Sequence, residues 1–217
     1  MKILYTVFLL SLISGVSSEI LAQSQNTESL IESLKLAKDH TSRINTLISI
    51  SLTYQQTNPD SAEYYALTAT EIANRNSSLI HRVKAGLHLG RVYIRQGAYA
   101  KGLMIFLEAL EYLEQLPNET KLKAATLRGI GNIYFIQYKY EEALSFYDEA
   151  LEQFSSVNDE YGQALVYGNY ANVYYETDSL NLALDYYKRQ LSVYSEIGSE
   201  MDLGSTYLNM GMLYETL

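Results

Sequence analysis

The 217-residue chain has no cysteine, no tryptophan and only two prolines, Pro59 and Pro117. The missing thiols exclude disulfides, thiolate metal sites and lipid attachment through cysteine. Scarce proline, and no alternating β-branched run of strand length after residue 40, leave an all-α reading with no competitor. Positive charge is also short, since 16 Lys+Arg against 25 Asp+Glu leave a net charge of −9. Phosphate recognition needs a basic face, so nucleic acid and an anionic membrane surface are not expected as main partners. The three histidines, His40, His81 and His88, have no carboxylate at ligand spacing, and no metal is expected. There is no Ser/His/Asp set, no phosphate-cradling glycine loop and no carboxylate pair on a rigid cleft. Neither an enzyme nor a cofactor is therefore expected.

What the chain does have is a pattern that returns about every 40 residues. Gly90-x-x-Tyr93, Gly131-x-x-Tyr134, Ala171-x-x-Tyr174 and Gly211-x-x-Tyr214 follow one another at spacings of 41, 40 and 40. Twelve residues after the first three small residues stand Gly102, Ala143 and Ala183. Phe106, Tyr147 and Tyr187 follow four residues later, and Ala109, Ala150 and Gln190 three beyond those. Small residues on two helices let their backbones approach closely while aromatic rings fill the gaps above and below. A single hairpin of this kind cannot bury its apolar faces, so copies stack and share a continuous core. The 21 tyrosines mostly serve this packing, and Tyr93, Tyr134, Tyr147, Tyr174, Tyr187, Tyr207 and Tyr214 are all expected to be packed.

The order small-x-x-Tyr, small, aromatic, Ala resembles that of the tetratricopeptide repeat (TPR) family. The resemblance implies a right-handed α-solenoid of antiparallel helical hairpins, with repeats about six residues longer than the usual 34. It also implies binding as the function. Asn58 to Tyr65 is similar to the segment that opens the TPR region of many exported or membrane-bound bacterial sensor kinases and helix-turn-helix regulators.

Residues 1–22 stand apart from the repeats. Lys2 precedes the apolar run Ile3 to Ile13, followed by Ser14, Gly15, Val16, Ser17, Ser18 and Ala22. A basic start, an apolar centre and small residues before a cut make a secretory signal peptide, with a mature start near Glu19 or Gln23. The apolar centre is too short to span a bilayer, so no stable membrane span is expected after cleavage; an uncleaved anchor is the alternative. Export of a cysteine-free chain points to a bacterial periplasm. Residues 23–40, with Leu30, Ile31, Leu34 and Ala37 at helical spacing, predict a capping helix. The array then divides at about 41–78, 79–118, 119–157 and 158–198, with an incomplete repeat over 199–217. Tyr207, Leu208, Met212, Leu213 and Tyr214 wrap most of that last helix and predict a bare apolar side. It is expected either to continue into a longer protein or to bind another chain, self-association through the C-terminal helix included.

The resemblance places the first helix of each hairpin along a concave groove that holds extended peptides. Once the core positions are removed, the face left over carries Lys84, His88, Arg91 and Arg95, then Arg128 and Asn132. It continues with Asn169, Asn172, Tyr175 and Glu176, then Ser205 and Asn209. Asn132 and Asn172 lie one repeat apart, as do Asn169 and Asn209. A side-chain amide offers donors and an acceptor to a peptide backbone regardless of sequence. Two such rows resemble the asparagine ladders of O-GlcNAc transferase and kinesin light chain; the alternative is that they cross-link repeats. The expected contact set for a protein or peptide ligand is Arg128, Asn132, Asn169, Asn172, Tyr175 and Asn209. Replacing Asn132 and Asn172 by alanine is expected to weaken capture with little change in melting. The alternative function is the sensory input of a truncated two-component kinase or regulator.

Overall fold

The computed structural model describes residues 25–75 and 78–216. The signal-peptide segment lies outside the described residues. Within them the secondary structure is entirely helical. The helices are α1 (residues 25–36), α2 (His40–Tyr54), α3 (Pro59–Arg75), α4 (Leu79–Arg95), α5 (Tyr99–Glu114), α6 (Thr120–Ile136), α7 (Tyr140–Ser156), α8 (Glu160–Glu176), α9 (Leu180–Ile197) and α10 (Glu200–Thr216). They fall into two compact units that meet in sequence between Val92 and Tyr93. No described helix is long and apolar enough to cross a membrane.

In the first unit, Asp39 caps α2 by accepting from the Ser42 N–H at 2.8 Å. Pro59 opens α3, where its missing donor costs nothing, and the Asn58 side chain accepts from the Ser61 N–H at 3.0 Å. Ile44 and Leu47 of α2 pack on Ala69 and Ala73 of α3 and on Ala85 of α4.

A buried polar chain links the same three helices. The Ser51 hydroxyl donates its single proton to the Ala62 carbonyl at 2.6 Å. His88 Nε2, 2.7 Å from the Ser51 oxygen, must therefore be the donor in that pair. His88 is only 4% exposed, so its expected place on an open face is corrected. Its neighbours give the reason, since the imidazole supplies the donor that the Ser51 oxygen lacks. Burial, with the Arg91 charge beside it, pushes the His88 pKa from 6.5 down to about 4.

The second unit repeats one hairpin design. Most of its helices end at a residue with positive φ, after which an N–H reaches back to a carbonyl five residues earlier, a Schellman closure; α5 instead ends on Gln115 in the right-handed region. After the first helices the turn residues are Gly97, Tyr138 and Asp178; after α7 and α9 they are Asn158 and Gly198. The returning bonds run from Ala98 to Tyr93, Lys139 to Tyr134 and Ser179 to Tyr174, at 2.8, 3.0 and 2.8 Å. The tyrosine of the small-x-x-Tyr motif thus serves twice, since its ring packs while its carbonyl closes the turn. Tyr134 stacks on Phe146 and, forty residues on, Tyr174 stacks on Tyr186, with ring centroids 5.4 and 5.5 Å apart.

The small residue of the motif marks the tightest approach. A Cβ built on Gly131 would stand 2.5 Å from Cε1 of the fully buried Tyr147 and 3.2 Å from the Ala143 carbonyl. At Gly211, the same position in α10, nothing lies within 4 Å. Leu208 of α10 is 73% exposed, and Tyr207 and Tyr214, expected to be packed, are 59% and 55% exposed. The correction has a plain cause, because no described helix covers the side of α10 where an α7 or α9 equivalent would sit.

The unfolded chain protonates His88 from about pH 6.5 downward while the folded chain resists until about pH 4. Stability should therefore fall across that window as pH drops, by up to about 3 kcal/mol, and level off below it. Denaturant midpoints against pH will show this, and His88→Gln should flatten the slope. For the glycines, alanine at position 131 should destabilise by about 1–2 kcal/mol net, overpacking outweighing helix propensity. Alanine at position 211 should be neutral or stabilise by up to about 1 kcal/mol. Equal effects at both sites in chemical denaturation would contradict this account of the repeat.

Candidate functional site

Every residue of the expected contact set lies in the second unit, on α6, α8 or α10. Arg128 and Asn132 are one turn apart on α6, and Asn169 and Asn172 are close to one turn apart on α8, so each pair shares a helix face. All six residues are half-buried, the condition in which a polar side chain can serve both fold and ligand.

The structure gathers them into two groups. In the first, Asn132 Oδ1 accepts from the Tyr147 hydroxyl and from Asn169 Nδ2, both at 2.8 Å, while Arg128 Nη1 lies 3.5 Å from Asn169 Oδ1. This group cross-links two repeats. Burial pushes the Tyr147 hydroxyl well above the ordinary phenol range. The hydroxyl stays neutral and able to donate. The expectation that Asn132 can be replaced with little effect on melting is therefore corrected, because its loss would strand that buried hydroxyl at a cost of about 1–3 kcal/mol.

In the second group the register repeats but the bonding does not. The Tyr187 hydroxyl donates to Asn172 Oδ1 at 2.6 Å, the counterpart of Tyr147 with Asn132. Burial raises the Tyr187 pKa to about 12, which keeps that proton in place. With its carbonyl committed, Asn172 has Nδ2 left to offer. Asn209 stands where Asn169 stood one repeat earlier, yet its amide is not bonded to Asn172. A cavity of about 190 Å³ opens there instead, lined by Phe135 of α6, Asn172, Tyr175 and Glu176 of α8, Tyr187 of α9, and Asn209 and Met212 of α10. That is far more than the roughly 10–15 Å³ one water needs, and less than the roughly 300 Å³ where drug-sized sites begin. The Tyr175 hydroxyl lies 3.4 Å from Thr216 Oγ1. Burial and the adjacent Glu176 carboxylate raise the pKa of the Tyr140 hydroxyl.

Phe135, Glu176, Tyr187 and Met212 were absent from the sequence-derived contact set. Their register carried a signal, because Phe135 lies forty residues before Tyr175, and Met212 lies forty after Asn172, where it ends the asparagine row. The Tyr187 ring packs in the core, as its spacing predicts, while its hydroxyl bonds Asn172.

Residues 84–159 match the family model described as tetratricopeptide repeat. Over those residues the chain is similar to tetratricopeptide repeat proteins. No curated protein sequence matches it. Among solved structures, BtubC (BKLC) from P. vanneervenii is similar at 21% identity and a TM-score of 0.68, over 92% of this chain and 83% of that one. A Rap protein in complex with Competence and Sporulation Factor gives 19% identity and a TM-score of 0.74. That match covers 88% of this chain but 54% of the Rap chain. PlcR from Bacillus thuringiensis, in complex with the peptide PapR7 and DNA, gives 14% identity, a TM-score of 0.69, and coverage of 89% and 70%. At these identities the likeness establishes the TPR fold.

Proposed function

We propose that this is an exported TPR module that holds an extended peptide or partner segment along the face shared by α6, α8 and α10. The observation that carries the reading is the cavity beside Asn172 and Asn209, where side-chain amides retain hydrogen-bonding capacity within a half-buried, partly apolar wall. Amides of this kind bond a backbone whatever its side chains, while Phe135 and Met212 offer apolar contact. Support comes from two structural neighbours of the same fold, whose structures hold Competence and Sporulation Factor and the peptide PapR7. The net charge of −9 favours a protein or peptide over nucleic acid as partner. In this reading Arg128, Asn132 and Asn169 rigidify the upstream part of the face, and Asn172, Tyr175 and Asn209 make the contact.

A second reading is the sensory input of a longer kinase or regulator. A solved STAND protein with a tetratricopeptide repeat sensor, from Pyrococcus horikoshii, is similar at 19% identity and a TM-score of 0.68. This chain covers 30% of it.

Displayed random heptapeptides should be retained by the full chain. The double variant Asn172→Ala/Asn209→Ala should lower the affinity of the selected peptides by about tenfold or more, on the order of 1.4 kcal/mol. Unaltered retention would remove these amides from the contact set. Export is tested on the native product by terminal sequencing and mass. A start near Glu19 or Gln23 with a mass below 24.6 kDa would support the exported module. An intact Met1 would overturn cleavage, and a far larger product would favour the sensor.

A further inference from the structure

We infer that the cavity beside Glu176 is a subsite for a cationic side chain, arginine before lysine, of the bound peptide. This rests on the reading of the α6, α8 and α10 face as peptide-binding.

Three independent features of the site call for a positive charge. Glu176 is exposed at the end of α8 and no lysine or arginine pairs with it. The ion pairs among the described residues are Lys35 with Glu32, Arg75 with Glu71, and Lys121 with Asp159. Its hydrogen-bond partner is the neutral Tyr140 hydroxyl, which brings no positive charge. Second, Glu176 occupies the last turn of a helix, where the macrodipole already presents partial negative charge, and α8 has no basic residue in that turn. A carboxylate there is locally unfavourable, and a cation would relieve both the side chain and the helix end. Third, two aromatic residues, Phe135 and Tyr175, are among those that line the cavity. Aromatic faces attract guanidinium and ammonium groups, as Arg189 over Tyr186 at 5.0 Å and Lys139 over Tyr134 at 5.6 Å show within this molecule.

Size and lining agree with that occupant. About 190 Å³ takes one long side chain and excludes a drug-sized molecule. Met212 in the lining suits an aliphatic stem, and Asn172 keeps Nδ2 to offer a carbonyl of the same peptide. Arginine is favoured because its planar group can stack on a ring while meeting a carboxylate edge-on.

The test uses the full chain and heptapeptides selected from a random display, each synthesised with arginine and with citrulline, its uncharged isostere. Arginine forms should bind about tenfold more tightly. Glu176→Gln should bring the ratio to within about twofold while citrulline forms bind as before, and the wild-type ratio should shrink as salt rises from about 0.05 to 0.5 M. Selected peptides without cationic residues, or a ratio that survives Glu176→Gln, would overturn the subsite and leave peptide binding intact. No retained peptide at all would overturn both.

Discussion

The contact between the small residue of a first helix and the aromatic ring of its partner governs the second unit. Gly131 lies so close to Tyr147 that one added carbon would overlap the ring, and the buried Ala171 and Tyr187 hold the same register one repeat later. That approach sets how near the two helices lie, and therefore which residues of the first helix are sealed and which remain on its free face. It also buries the tyrosine deeply enough to keep its hydroxyl neutral, so the phenol must find an acceptor. In both repeats the acceptor is an asparagine on the free face, Asn132 or Asn172. Packing and surface chemistry are thereby joined through a single side chain.

The two asparagines then part ways. Asn132 takes a second bond from Asn169, and its group becomes an internal brace. Asn172 receives no matching bond from Asn209, and space opens where the brace would have been. Met212, standing in the asparagine register, makes one wall of that space apolar. Local departure from the repeat, rather than the repeat itself, distinguishes the face at this point. The departure also leaves Glu176 without a cation at a helix end that already carries partial negative charge.

The first unit uses a different device at the corresponding depth. There the buried polar link is Ser51 with His88, joining three helices through one hydroxyl and one imidazole. Its cost is a titratable group held neutral inside the fold, so its strength depends on pH in a way that the tyrosine–asparagine links do not. His88 was assigned to the open face by counting positions along α4. Counting could not reveal Ser51, 37 residues earlier, waiting without a donor.

Helical class and the small and aromatic positions were legible in the chain, because each depends on spacing within one or two helices. The same spacing places residues 128, 132, 169, 172, 175 and 209 on the first helices of successive hairpins, α6, α8 and α10. Spacing could not distinguish Asn132 from Asn172, which are equivalent by register and differ only in what the neighbouring helix brings to them. Nor could it show that Phe135, Glu176, Tyr187 and Met212 meet around one cavity, since they come from four helices. The repeat can be read from the chain alone because periodic packing is a local property of the pattern. Which amides are used within the fold and which stay available emerges only on folding, because hydrogen-bond satisfaction depends on distances between segments far apart in the chain.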